Sequence, residues 1–171
     1  MRSRSGDIEA RLQAALDAPD AQVSPPDGQM RSALRADYDK AAGKIEATYQ
    51  TAYLAHAALE PMNTTAQVTD GKVEIWSPTQ VPTRARKAVA DTLGRPADQV
   101  VLHNTLLGGG FGRRLQVDYA VLAALIAREA GGAPVQLVWT REEDVAHDFF
   151  RKAVRTRYRA APGRGRNDRW L

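Results

Sequence analysis

Residues 107–115 read LGGGFGRRL: four glycines set around one aromatic ring, then two arginines. Just upstream, QVVLHNT (99–105) is short and rich in β-formers, which predicts a strand ending near Asn104. Downstream, Tyr119, Leu122, Ala123, Ile126 and Ala127 recur at helical spacing and predict the buried stripe of a helix from about Gln116 to Glu129. The stretch is therefore a strand-to-helix loop, where backbone amides and a helix N-terminus can receive an anion. Two familiar loops of that kind do not fit. A Walker loop needs Gly-Lys-Ser/Thr, but Gly112 is followed by Arg113 and Arg114. The dinucleotide fingerprint, started at Gly108 and Gly110, needs a glycine where Arg113 stands. What remains is physical. Bare backbone lets a flat ligand approach and offers N–H donors, the Phe111 ring can cover a plane, and Arg113 and Arg114 can grip a phosphate. A purely structural turn, with Phe111 as a core plug and two solvated arginines, fits the same spacing.

Around this loop, helical and strand patterns intermingle. Ile8, Leu12, Ala15 and Leu16 predict a helix over 7–18 with Asp7 as its N-cap. APDAQVSPPDGQ (18–29) then breaks the pattern, and a second helix is expected from Gln29 to about Ala42. KIEATYQTAYL (44–54) alternates and reads as a strand. TTAQV (64–68) and KVEIW (72–76) flank TDG as a hairpin. The chain is helical after Pro82, with Gly94 as C-cap. VQLVWT (135–140) reads as a buried strand, REEDVAHDFF (141–150) as a short helix and AVRTRYRA (153–160) as a further strand. The pattern predicts an α+β fold, a mixed sheet with flanking helices. Three parts are expected: a helical N-terminal segment with a Pro/Gly-rich linker (1–42), the main domain (43–160), and a basic, disordered tail (161–171).

Composition narrows the function. Of 171 residues 43% are hydrophobic, enough for a core, but only 6% are aromatic, so aliphatic and alanine packing must build it. The net charge of +4 is concentrated late, where Arg151, Lys152, Arg155, Arg157, Arg159, Arg164, Arg166 and Arg169 face Asp168 as the sole acid. A basic end suits a polyanion, yet no aromatic platform accompanies it. There is no cysteine, which excludes disulfides, thiolate zinc sites and a cysteine-held iron–sulfur cluster within these residues. MRSRSGDIEA lacks an apolar core for a signal peptide, and no apolar run approaches the roughly 18 residues of a spanning helix, so the chain reads as soluble.

Four collinear segments carry a family resemblance: LGGGFGRR, HAALEPMN (56–63), SPTQVPTRARKAVADTLG (77–94) and LVWTREEDVAHDFFR (137–151). Together they resemble the molybdenum-binding large subunit of the xanthine dehydrogenase/aldehyde oxidase family, in its isoquinoline 1-oxidoreductase β-subunit branch. The resemblance runs from about Gly6 to Tyr158. It implies part of a molybdopterin-binding domain from a molybdenum hydroxylase, which inserts water-derived oxygen at an aldehyde or N-heteroaromatic carbon and passes electrons to an iron–sulfur partner subunit. The implied cofactor is molybdopterin cytosine dinucleotide. Its dithiolene binds the metal, so no protein metal ligand is expected, in agreement with the missing cysteines.

Carried onto this sequence, the resemblance makes Gln80 the amide that hydrogen-bonds an oxygen on the metal centre. It places Gly109, Gly110, Phe111 and Gly112 against that centre, with Arg113 and Arg114 beside them on the cofactor. Phe111 and Leu115 would line the substrate channel. Where purine-oxidising relatives carry a substrate-binding glutamate this chain has Leu115, which implies a more apolar substrate. Arg151 aligns with an arginine that steadies developing negative charge on substrate and is the catalytic candidate. Glu60 and Asn63 match a motif that closes the loop beside the site. His56, His103 and His147 have no metal-ligand spacing and read as loop, strand-end or cap residues.

The family's catalytic base lies in a Gly-x-Gly-Glu motif, absent from these residues, and the subunits of the family are several times longer. The expectation is therefore a fragment, inactive alone, that needs the remainder of the large subunit. The alternative from another class is a non-catalytic small domain that binds an anion, nucleotide or nucleic acid through Arg113, Arg114 and the basic tail.

Overall fold

The computed structural model describes residues 5–19, 28–161 and 169–170. In chain order these form helices α1 (Ser5–Asp17) and α2 (Gly28–Lys40), and strands β1 (Ile45–Thr51), β2 (Asn63–Val68) and β3 (Val73–Ser77). Then come helix α3 (Pro82–Leu93), strand β4 (Val100–Asn104), helix α4 (Asp118–Arg128) and strand β5 (Val135–Val138). Helix α5 (Arg141–Ala146) and strands β6 (Val154–Ala161) and β7 (Arg169–Trp170) complete the order. The mixture of helices with parallel and antiparallel strands is the expected α+β class. The expected tail falls largely outside the described residues; Arg169 and Trp170 pair with Ala161 and Ala160.

The chain divides into two compact units, one of residues 1–53 with 152–171 and one of residues 54–151. In the first, β1 pairs antiparallel with β6, from Ile45 opposite Ala160 to Thr51 opposite Val154. Arginines from β6 reach acids of its neighbours: Arg157 lies 2.8 Å from Asp17 of α1, and Arg159 lies 2.8 Å from Glu46 of β1. Asp7 falls inside the first turn of α1, which begins at Ser5 instead of being capped at residue 7.

The second unit holds a four-stranded sheet in the order β4-β3-β2-β5. β2 and β3 form the hairpin that the TDG signal predicts, and α3 carries the chain from β3 to a parallel β4, as a parallel connection requires. Gly94 closes α3 in a left-handed conformation. One sheet face buries Thr64, Ala66, Val68, Val73, Ile75 and Val100 beneath the helices. Alternation of side chains along each strand creates that face.

Two expectations about packing are corrected. Helix α4 buries Tyr119, Ala120, Ala123, Ala124 and Ala127, whereas Leu122 and Ile126 are each 41% exposed. Small side chains let the helix lie close against the sheet, and the larger ones are displaced to its shoulders. β5 is an edge strand with alternating burial, with Val138 facing outward, and not a buried strand. Among the described residues it pairs only with β2, which leaves one edge without a strand partner there.

Candidate functional site

All of the loop's framing residues belong to the second unit. After β4 the chain runs through residues 105–112 and closes in a short 3-10 turn, Arg113–Leu115, before α4. Glu60 anchors its start. The Glu60 carboxylate accepts the Gly108 N–H at 2.8 Å and the Arg114 guanidinium at 2.7 Å, and its second oxygen accepts from the Asn63 side chain at 2.8 Å. The pairing of Glu60 and Asn63 expected from EPMN is thus a brace on the glycine loop. Arg114 spends its remaining donors on carbonyls: Gly109 at 2.8 Å, Pro78 at 3.1 Å and Glu60 at 3.0 Å.

Gln80 closes the other side. Its backbone N–H donates to the Arg114 carbonyl at 3.2 Å, and its side-chain oxygen accepts the Gly112 N–H at 3.2 Å. A Cβ on Gly110 would stand 2.7 Å from that oxygen, so glycine at 110 is what lets the Gln80 side chain lie against the loop. With its oxygen taken by Gly112, the exposed Gln80 amide presents N–H donors outward. Phe111 sits at the apex with φ 52, an uncommon region for a bulky residue, and its ring is 70% exposed. It is therefore a surface ring and not a core plug.

Arg113 turns the opposite way. It is 1% exposed, Arg114 is 0% exposed, and neither presents a guanidinium to solvent. Arg113 makes a two-pronged pair with Asp118, at 3.0 and 2.9 Å, and its Nε lies 3.5 Å from Asp148 and 3.9 Å from Asp144. The rings of Tyr119, Trp139 and Phe149 surround the cation at 6.0, 5.5 and 5.4 Å. Burial works against the Arg113 charge, but Asp118, Asp148 and Asp144 outweigh it and hold its pKa above the ordinary value. Burial also pushes the Asp144 carboxyl up, an effect that Arg141 and Arg113 oppose. Arg141 ties this acid to the chain near Glu60: it donates to Asp144 at 2.9 Å and to the Ala58 and Leu59 carbonyls at 2.6 and 2.9 Å.

His56 and Asp148 were not read together in the sequence. Asp148 lies 2.8 Å from His56 Nδ1 and also accepts the His56 backbone N–H. Asp118, Arg141, Asp144 and Asp148 were missed as well. Their spacing resembles ordinary helix-start and helix-end charges, and only burial distinguishes them. The other histidines have local partners: His103 stacks on Trp76 with ring centroids 5.0 Å apart and lies 3.2 Å from Glu74, and His147 caps α5. Leu115 is exposed beside the loop. Arg151 forms a backbone bridge with Leu54, and among the described residues no hydrogen bond or ion pair joins its side chain to Gln80 or the loop.

The arrangement fits a flat, acceptor-bearing group. The Gly108 and Gly112 amides are taken by side chains, whereas those of Gly109, Gly110 and Phe111 have no protein acceptor among the described residues. Three successive N–H groups beside an outward amide make a donor surface for oxygen or ring-nitrogen atoms. Among the described residues no group of three or more His, Asp or Glu side chains could hold a metal ion, so a metal here would need ligands of its own.

Comparison with known proteins gives this surface a family. A profile described as a molybdopterin cofactor-binding domain matches residues 19–164. The chain is 40% identical over 117 residues to the membrane-bound aldehyde dehydrogenase [pyrroloquinoline-quinone] of Gluconacetobacter polyoxogenes, covering 68% of this chain and 15% of that protein. It is 42% identical over 106 residues to the isoquinoline 1-oxidoreductase subunit beta of Brevundimonas diminuta, covering 61% of this chain and 13% of that protein. In fold it resembles quinoline 2-oxidoreductase from Pseudomonas putida 86, with a TM-score of 0.62, 24% identity, and coverage of 75% of this chain and 16% of that one. The chain thus spans about a seventh of the length of these curated relatives. Among the described residues no helix is long and apolar enough to cross a membrane. A match over most of its length, on the segment that carries Gln80 and the glycine loop, shows that the chain belongs to the molybdopterin cofactor-binding domain family.

Proposed function

We propose that residues 54–151 form one wall of a molybdenum hydroxylase site, with Gln80 and Gly109–Gly112 facing the cofactor. The observation that carries this reading is the row of Gly109, Gly110 and Phe111 amides without protein acceptors, set beside a Gln80 amide whose oxygen is fixed by Gly112. When bound, the cofactor would supply two-electron oxidation of an aldehyde or N-heteroaromatic carbon. This chain's own residues would bind and orient. Gln80 offers a neutral N–H, which engages an oxygen without altering the local charge. Phe111 and Leu115 give the approach an apolar lining. Arg113 and Arg114 act on the cofactor from beneath, by fixing the loop that touches it. Arg151 is the candidate to steady negative charge on substrate.

The finer assignments rest on the branch to which the motifs point: the cytosine dinucleotide form of the cofactor, an iron–sulfur partner subunit, and completion of the site by the remainder of a large subunit. The experiment is to express the chain in a host that makes the cofactor and to measure pterin and molybdenum per chain. We expect substoichiometric retention, no turnover of aldehydes with a dye acceptor, and about a tenfold drop in retained pterin for Gly110→Val, in which side-chain carbons would displace Gln80. Equal retention by the variant and wild type, or none in either, overturns the reading.

A further inference from the structure

We propose that His56 is a ligand-facing hydrogen-bond acceptor of this site, its Nε2 lone pair directed past Gly112 at an N–H or O–H of the bound heterocycle. The inference rests on the reading of the loop as a cofactor wall.

Three observations carry it. The His56 and Asp148 side chains are only 9% and 2% exposed, and one carboxylate binds both the ring Nδ1 and the backbone N–H of the same histidine. A carboxylate that clamps ring and backbone together fixes the ring's rotation and places the neutral-state proton on Nδ1, leaving Nε2 as the bare nitrogen. Nε2 has a definite address: a Cβ on Gly112 would stand 3.3 Å from it, so the nitrogen lies directly beside the residue whose N–H holds Gln80. Finally, Nε2 has no hydrogen-bond partner among the described residues, yet it is not sealed off like the Arg113 Nε and Asp144 Oδ1 atoms. An oriented imidazole with a spare lone pair, braced by a carboxylate 3.5 Å from a buried arginine, is a costly way to fill space. It adds a side-chain acceptor beside the Gly109, Gly110 and Phe111 amides and the Gln80 amide, which are donors. A fused heterocycle with ring N–H and exocyclic amine groups needs an acceptor as well.

Two measurements test this. In the isotopically labelled chain, which has only three histidines, nitrogen NMR at alkaline pH should show His56 protonated on Nδ1. Asp148→Asn should move that proton to Nε2. Retained pterin should fall about tenfold in His56→Phe, which keeps the bulk but no acceptor, and stay within about threefold in His56→Gln, which keeps a polar atom near Nε2. Melting temperatures of both variants report any loss of folding separately. A proton on Nε2 in wild type, or equal retention by wild type and His56→Phe, overturns this inference alone. Absence of pterin from wild type overturns the cofactor reading and this inference with it.

Discussion

Glu60 and Gly108 clasp each other in both directions: the Glu60 amide donates to the Gly108 carbonyl at 3.0 Å, and the Gly108 amide donates to the Glu60 carboxylate at 2.8 Å. The two backbones are so close that a Cβ on residue 108 would lie 2.5 Å from the Glu60 Cβ. Neither carbon is the far end of a flexible side chain, so the clash cannot be relieved by rotation.

Gly108→Ala should therefore destabilise the protein by about 1–3 kcal/mol, the usual range for forced overpacking. Urea unfolding of the purified chain measures it. A change below about 0.5 kcal/mol would mean the loop is free to move away from Glu60.

Glu60→Gln tests the charge in the same brace. Arg114 keeps its carbonyl partners but loses the Glu60 carboxylate, and the expected cost is about 1–3 kcal/mol. Because the guanidinium is buried, raising salt to molar levels should recover little of the difference.

Arg113→Met should be the most damaging of these changes. It leaves Asp118, Asp144 and Asp148 around a neutral side chain, and removing one partner from a buried charge cluster costs about 3–5 kcal/mol. Arg113→Lys should fall between, since an ammonium keeps the charge but cannot reproduce the two-pronged contact with Asp118.

The raised pKa of Asp144 sets a pH dependence with a definite sign. The folded state holds this proton more tightly than the unfolded chain, so the group's contribution is complete below its ordinary value of 3.8 and is lost as pH rises through the raised value. Asp144→Asn lacks that titration. The melting temperature of the variant minus that of wild type should be more positive at pH 7 than at pH 4. The opposite trend would show that the pull of Arg141 and Arg113 outweighs burial.

On α4 the exposures predict a contrast. Leu122→Gln and Ile126→Gln should stay within about 0.5–1 kcal/mol of wild type, and Ala123→Leu should cost about 1–3 kcal/mol. Thermal melts of the three variants decide it.

The elements were legible because their signals are local. Alternation, the TDG turn, Pro82 and Gly94 each act within a few residues, and most strand and helix bounds followed to within one or two positions, although β1 ends three residues before the predicted Leu54 and α5 four before the predicted Phe150. The helix stripe misled because period alone cannot say whether leucines or alanines meet the sheet. In α4 the closeness of the sheet selected alanine. The glycine loop stood out in sequence because close backbone approach has a compositional signature, whereas Gln80 was reached only through the family resemblance. The His56–Asp148 pair did not stand out. Its members lie 92 residues apart, and a charge at the end of a short helix looks the same whether it faces water or an imidazole.

The pairing of β1 with β6 has a consequence for the order of events during synthesis. Residues that meet across it, such as Gln50 and Arg155, are 105 apart in sequence, and the whole of residues 54–151 lies between them. The intervening unit is continuous in sequence. β1 is made before that unit and paired only after it. Until Val154–Ala161 emerges, both backbone edges of β1 stand open, and in that interval a nascent chain of this design is open to misassociation and chaperone capture.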